Sequence, residues 1–301
     1  MTQAQLDLTI DHAIVDFARD LRLNKSPKTI LTYTESARMF ARFAERQQVL
    51  TIRQVSAHLV REWLTELRDA GRAPGTLFNR HSGLKALMRW AVEEGLIESN
   101  PVKDVPVPVP PVQPVPLLNT DALRRLLKAA DGTSFEDVRD TAMLRLLIDT
   151  GMRRAECANL KVTDIDQDQD VAIVTGKGGR IRACPFGVRT SKALRRYLRI
   201  RETHEHSYQP DLWLGLRGPL QPRALLDVVR RRSQQAGLDG RTFVHQLRHT
   251  WAHEAMQRMN EGDVQRLGGW RDRDMLARYG ASGADERARR AYREHSLGDR
   301  L

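Results

Sequence analysis

Apolar residues recur at helical spacing through the first hundred positions. Leu6, Ile10, Ile14, Phe17 and Leu21 mark one helical face, and Ile30, Tyr33, Ala37, Phe40 and Ala44 mark a second. Between them, Ser26-Pro27 has the chemistry of an N-cap and a first helical residue: the serine hydroxyl accepts from an orphan amide, and proline has no amide to satisfy. Ser56 opens a third helix carrying Leu59, Trp63 and Leu67. A fourth is expected from about Pro74 to Glu94, with Leu77, Leu84, Leu87 and Ala91 on one side and Gly95 closing it. These four helices predict a small bundle.

Beyond residue 116 the pattern is mixed. Thr120-Asp121 predicts the cap of a helix carrying Leu123, Leu126 and Leu127, and another helix is expected from about Phe135 to Asp149, stopping at Gly151. Val171 to Val174 and Arg180 to Cys184 predict two strands joined through the hairpin Gly176-Lys177-Gly178-Gly179. Helices resume near Gly187, Leu212 to Leu214 predicts a short strand, and further helices are expected from Pro222, His245 and Gly262. A charged tail runs from Ala284 to Leu301. The two patterns are separated by Asn100 to Pro116, which holds 7 of the chain's 13 prolines. Proline fixes φ and pushes its predecessor to extended geometry, so this stretch predicts a semi-rigid spacer rather than part of a core. The expected organisation is a helical domain over 1–100, a linker over 101–116 and a second domain over 117–301. The fold class is mainly α with a small antiparallel β-sheet.

Composition narrows the class of function. With 301 residues, 41% of them hydrophobic, two cores can be built. Mean hydropathy is −0.51. No apolar run is long enough to cross a bilayer, and the polar first eleven residues do not resemble a secretion signal, so a cytoplasmic protein without a membrane partner is expected. Cys157 and Cys184 are too few for a disulfide framework and lie in no metal-ligand spacing. The formal net charge is +11; of 49 lysines and arginines only 8 are lysine. Most of the excess lies after residue 116, which points to a polyanionic partner. Guanidinium forks suit phosphate oxygens.

The residues that carry chemistry are scattered. Arg153, in Thr150-Gly151-Met152-Arg153, follows a helix-ending glycine and opens the next helix, where free amides and a guanidinium together favour an anion. Glu156, three residues on, is spaced to hold that guanidinium, although an Arg–Glu pair at this spacing is also common on exposed helices. Lys177 sits at the glycine-rich hairpin tip. It can reach a phosphate, but alone it reads equally as a solvated turn lysine. His245 and Arg248 share a helical face, with His249 one turn from His245; imidazole exchanges protons near neutral pH and the guanidinium binds phosphate. Trp270, after Leu267-Gly268-Gly269, offers an indole N–H donor, and Tyr279 offers a hydroxyl that needs neighbouring cations to attack at neutral pH. Singly, each aromatic would pass as structural.

As an ordered set, these residues closely resemble the tyrosine recombinase (phage integrase) family, including its Xer-like members. Arg153 matches the family's arginine after Thr-Gly-x. Lys177 matches its hairpin lysine, and His245, Arg248 and His249 match its His-x-x-Arg-His motif. Leu267-Gly268 and Trp270 match its Leu-Gly-His segment, with tryptophan where histidine is more usual. Tyr279, nine residues further on, matches the nucleophile. Tyr292 is a rival but lies at the wrong distance from Trp270. The resemblance spans nearly the whole chain and implies an N-terminal SAM-like core-binding bundle followed by a C-terminal catalytic domain.

The same resemblance implies a site-specific recombinase or integrase. Tyr279 would attack a DNA phosphate to give a 3′-phosphotyrosyl bond, which a 5′-hydroxyl later reverses. Arg153 and Arg248 would stabilise the pentacoordinate phosphate, Lys177 would protonate the leaving 5′-oxygen, and His245 would handle the tyrosine proton. Trp270 and His249 would orient the phosphate, with Glu156 supporting Arg153. Neither metal nor any other cofactor is expected. The implied partners are double-stranded DNA and three further copies of the chain, as a tetramer on DNA with the tail docking on a neighbour; accessory proteins and the target site are unspecified. Two alternatives share parts of this reading: a type IB topoisomerase-like enzyme, which would relax DNA without strand exchange, and a DNA-binding regulator that has lost catalysis.

Overall fold

The computed structural model describes residues 8–110, 115–176, 179–238, 244–272, 276, 288–289, 292–293, 295–296 and 298–300. The chain divides into two compact units, Met1–Val112 and Gln113–Leu301.

The first unit contains helices α1 (Ile10–Asn24), α2 (Pro27–Arg46), α3 (Ala57–Asp69) and α4 (Pro74–Glu93). Helix α1 is capped by Thr9, whose side chain accepts from the His12 amide. Ser26 and Ser56 cap α2 and α3 in the same way. The inward faces bury Phe17, Phe40, Trp63, Leu84, Leu87 and Met88, with Trp63 edge-on to Phe40 at 5.3 Å between ring centroids. Val102 and Val105 belong to this same core. The first residues of the proline-rich segment are therefore part of the bundle's core, with Val107 packed against it and Val109 exposed.

The second unit is also mainly helical. Helix α5 (Thr120–Lys128) is capped by Asn119, one residue earlier than expected, whose side-chain oxygen accepts from the Ala122 amide. Helices α6 (Phe135–Thr150) and α7 (Arg154–Ala158) follow, then a three-stranded antiparallel sheet of β1 (Ile165–Asp166), β2 (Val171–Thr175) and β3 (Ile181–Pro185). The β2–β3 register pairs Ala172 with Cys184 and Val174 with Arg182. Helix α8 (Val188–Arg201) begins after Gly187. The strand expected at Leu212 to Leu214 is reduced to β4 (Leu214–Gly215), paired with β5 (Gly218–Pro219). Trp213 is instead a core residue whose indole donates to the Cys157 carbonyl at 2.8 Å. Helices α9 (Pro222–Gln235), α10 (Val244–Met256) and α11 (Glu261–Gly268) complete the described elements of regular length.

The main core of this unit gathers α6, the sheet, α8 and α9 around Leu144, Leu147, Tyr197 and Trp213. A smaller cluster joins α10 to α11 through Ala252, Val264, Trp270 and Leu276. A buried ion network ties α6 to α9: Asp140, fully buried, accepts from Arg139, Arg231 and Arg232, and Arg232 also reaches Asp137.

Candidate active site

Helix α6 ends at Gly151, whose left-handed conformation (φ 55°) turns the chain sharply toward α7. The Trp251 ring occupies the space a side chain at 151 would need. Only glycine meets both demands there. The turn delivers Arg153 as the N-cap of α7. Its backbone N–H donates to Glu156 Oε2 at 2.7 Å and its Nη1 to Glu156 Oε1 at 2.8 Å. One amide of this junction, that of Arg153, is thus already taken by a carboxylate of the protein.

Glu156 is buried and carries a second cation. Arg182, on β3, donates from Nη1 to Oε1 at 2.9 Å and from Nη2 to Oε2 at 2.8 Å. Burial works against the charged carboxylate, but the hydrogen bonds from Arg182 and from the Arg153 amide, with the guanidinium charges, outweigh it and hold its pKa down to about 2.

Three guanidiniums meet at the end of α11. Leu267 accepts from Arg182 Nε at 2.8 Å, Gly268 from Arg248 Nη2 at 2.6 Å, and Gly269 from Arg153 Nη2 at 3.0 Å. These consecutive carbonyls close a helix, where acceptors lack intrahelical donors and carry partial negative charge, so cations are matched to them. Arg248 is almost fully buried, and its Nη1 also donates to the Gly151 carbonyl at 2.7 Å. It therefore links the C-terminal ends of α6 and α11. The Trp270 ring fills the space beside Gly268 that a Cβ would occupy. Arg248 Cζ lies 4.4 Å from the Trp270 ring centroid, and Trp270 stacks on Trp251 at 5.9 Å.

His245 and His249 stand one turn apart on α10, edge to face, with ring centroids 4.7 Å apart. His249 is buried, whereas His245 is exposed. Partial desolvation, then the charges of Arg248 and Arg153, lower the His245 pKa below 6.5. At neutral pH this leaves a neutral imidazole at the rim of a cationic cluster. Such a site can hold an anion on its guanidiniums while the imidazole accepts a proton.

Arg153, Glu156, Arg248 and Trp270 are joined by this network, and His245, with His249 against its ring, lies near Arg248 and Arg153. Lys177 and Tyr279 lie outside the described residues, as does most of the charged tail; the rival Tyr292 is exposed. Among the described residues, no group of three or more His, Cys, Asp or Glu is arranged to hold a metal, and no helix is long and apolar enough to cross a membrane. Arg182 is the participant that sequence motifs missed. One signal was available. In β3 it has the same strand phase as buried Cys184, and a charged residue on the inward phase of a strand requires a buried partner.

Residues 116–286 match the phage integrase family, and residues 14–95 match the phage integrase N-terminal SAM-like domain. The chain belongs to the phage integrase family. It is similar to tyrosine recombinase XerC of Anoxybacillus flavithermus, with 30% identity over 244 residues, covering 79% of this chain and 80% of that protein. Its fold is similar to that of a lambda integrase tetramer bound to a Holliday junction: TM-score 0.74, 18% identity, covering 92% of this chain and 79% of the other. It is equally similar in fold to the XerH site-specific recombinase in a post-cleavage complex with palindromic difH substrate: TM-score 0.74, 19% identity, 92% and 81% covered. The helical first unit and the mixed second unit are the two halves of this family's architecture.

Proposed function

We propose that this chain is a site-specific recombinase that cleaves one DNA strand at a time with Tyr279 and rejoins it to a new partner. The convergence of Arg153 and Arg248 on one helix end, with the His245 imidazole at its rim, carries the reading. Both guanidiniums are held before substrate arrives, Arg153 partly exposed and Arg248 buried, so the positive charge that answers a developing phosphate charge is already assembled. In the forward step the Tyr279 oxygen bonds to phosphorus as its proton passes to His245. The bond to the 5′-oxygen breaks, and Lys177 supplies that oxygen with a proton. The reverse step, with a 5′-hydroxyl from a partner strand, restores tyrosine and completes exchange. Trp270 and His249 orient the phosphate, and Glu156 supports Arg153.

Residues 1–100, with Val102 and Val105 packed into their core, serve as the core-binding domain and 117–301 as the catalytic domain, joined through the rest of 101–116. The partners are duplex DNA and further copies of the chain; lambda integrase has been seen as a tetramer on a Holliday junction and XerH on difH DNA, and the same assembly is proposed here. A cytoplasmic location follows from a DNA substrate.

The test is covalent trapping. Denaturing capture of protein–DNA adducts from sheared genomic DNA identifies the cleaved site, and a nicked duplex carrying that site then serves as substrate. The wild-type protein is expected to form an adduct and, with a second site, recombinant product, while Tyr279→Phe binds the duplex without an adduct. An adduct from Tyr279→Phe would overturn the nucleophile. Adduct without recombinant product would favour a topoisomerase, and binding without adduct a regulator.

A further inference from the structure

Arg182 takes no part in the steps above, yet all three of its guanidinium nitrogens are engaged at the site. Nη1 and Nη2 form a fork on Glu156, and Nε holds the Leu267 carbonyl. Its side chain is only 11% exposed. Its Cα is fixed by the β2–β3 ladder opposite Val174. We propose that Arg182 is a positioning residue that anchors two arms of the active site to the sheet: Arg153 through Glu156, and the Trp270 indole through the turn at Leu267–Gly269.

The geometry separates its task from that of Arg153 and Arg248. Glu156 Oε1 is shared by Arg153 Nη1 at 2.8 Å and Arg182 Nη1 at 2.9 Å. Without a second fork the carboxylate can rotate and carry Arg153 with it; a planar guanidinium on both oxygens blocks that rotation. The Nε bond ties the same plane to the turn that also accepts from Arg248 and Arg153, so a shift of the sheet reaches both arms together. Lysine cannot substitute fully, because one ammonium on a flexible stem does not present a fork and a third coplanar donor.

This role rests on the recombinase reading, and its test uses the same trapped-site nicked duplex. Single-turnover cleavage is measured for the wild-type chain, Arg182→Lys, Arg182→Met, Arg153→Ala and the Arg153→Ala/Arg182→Met double variant. Duplex affinity and thermal unfolding are followed in parallel. Displacing a phosphate-binding group by an ångström costs ~10²-fold, so Arg182→Met is expected to slow cleavage by about that factor, and Arg182→Lys to recover roughly tenfold of it. Affinity is expected to stay within about twofold of wild type, because one shifted contact among the many phosphate contacts that set it contributes little. Acting through Arg153, the two losses overlap: the double variant should cleave at least ~10-fold faster than the product of the single losses requires. Wild-type cleavage by either Arg182 variant, or losses that multiply in full, overturns the role. Should Arg182→Met not fold, Arg182→Lys and its own double variant with Arg153→Ala carry the same comparison. Absence of an adduct from the wild-type chain overturns the recombinase reading itself; an adduct from wild type with unslowed Arg182 variants overturns the positioning role alone.

Discussion

The guanidinium of Arg248 lies over Trp270, its Cζ 4.4 Å from the ring centroid, while Trp251, packed against the smaller core, stacks on the same indole. Replacing Trp270 by alanine removes the large side chain of that cluster together with the cation–π contact. Chemical denaturation is expected to show a loss of about 3–5 kcal/mol. Trp270→His keeps an N–H donor and part of the ring, so it should retain more cleavage than Trp270→Ala at equal duplex occupancy. Equal cleavage by the two would mean that the indole only fills space.

Arg153 and Arg248 should separate stability from catalysis. Both alanine variants are expected to slow cleavage by about 10²–10³. Arg153 is about a third exposed at its side chain, and Glu156 keeps the Arg182 fork when it is lost. Its removal should cost about 1 kcal/mol or less. Arg248→Ala strips a donor from two carbonyls in the interior, Gly151 and Gly268, and should cost about 3–5 kcal/mol. Urea titrations of the two variants that coincide would contradict this division.

Glu156 couples the site to acid. Its folded pKa, about 2, lies below the ordinary 4.5, so its ion pairs add stability above pH 4.5, and that contribution fades as pH falls toward 2. The shift corresponds to about 3 kcal/mol. Glu156→Gln should therefore be less stable than wild type by roughly this amount at pH 7, with the gap closing between pH 4.5 and 2. A gap that stays constant down to pH 2.5 would show that the charge of Glu156 contributes little.

His245 should titrate below 6.5, because partial burial, Arg248 and Arg153 all favour its neutral form. Its proton is bound more readily by the unfolded chain. Its contribution to stability is accordingly intact above pH 6.5 and declines as pH drops below that value. Imidazole resonances followed by NMR should move to a higher pKa in Arg153→Ala, where one repelling charge is gone. An unchanged titration would remove Arg153 from its surroundings.

Gly151→Ala places a Cβ at φ 55° and against the Trp251 ring. Left-handed strain and overpacking together should destabilise the second unit by roughly 2–4 kcal/mol. Thermal unfolding of the variant measures it directly.

Periodic apolar spacing located the helices because burying one face is a local property of the sequence. The serine caps at Ser26 and Ser56 were visible for the same reason. Asn119, not Thr120, caps α5: Asn119, Thr120 and Asp121 stand side by side, and their types alone do not distinguish which one caps. Proline density suggested a detached linker, but Val102 and Val105 are recruited by the bundle, a tertiary effect that composition does not encode. The motif residues Arg153, Arg248 and Trp270 were legible from type and order. Their common attachment to carbonyls 267–269 was not, since backbone acceptors have no sequence signature. Arg182 stayed hidden because a single arginine in a short strand resembles a solvated edge residue until its phase with Cys184 is considered.

By bonding Gly151 with one nitrogen and Gly268 with the other, Arg248 acts as a rivet between two helix ends. For one end to drift from the other, a charged hydrogen bond in the interior has to break first. Slow opening motions of this half of the chain should thus divert around the rivet, leaving the ends of α6 and α11 among the last regions to exchange their amide hydrogens with solvent.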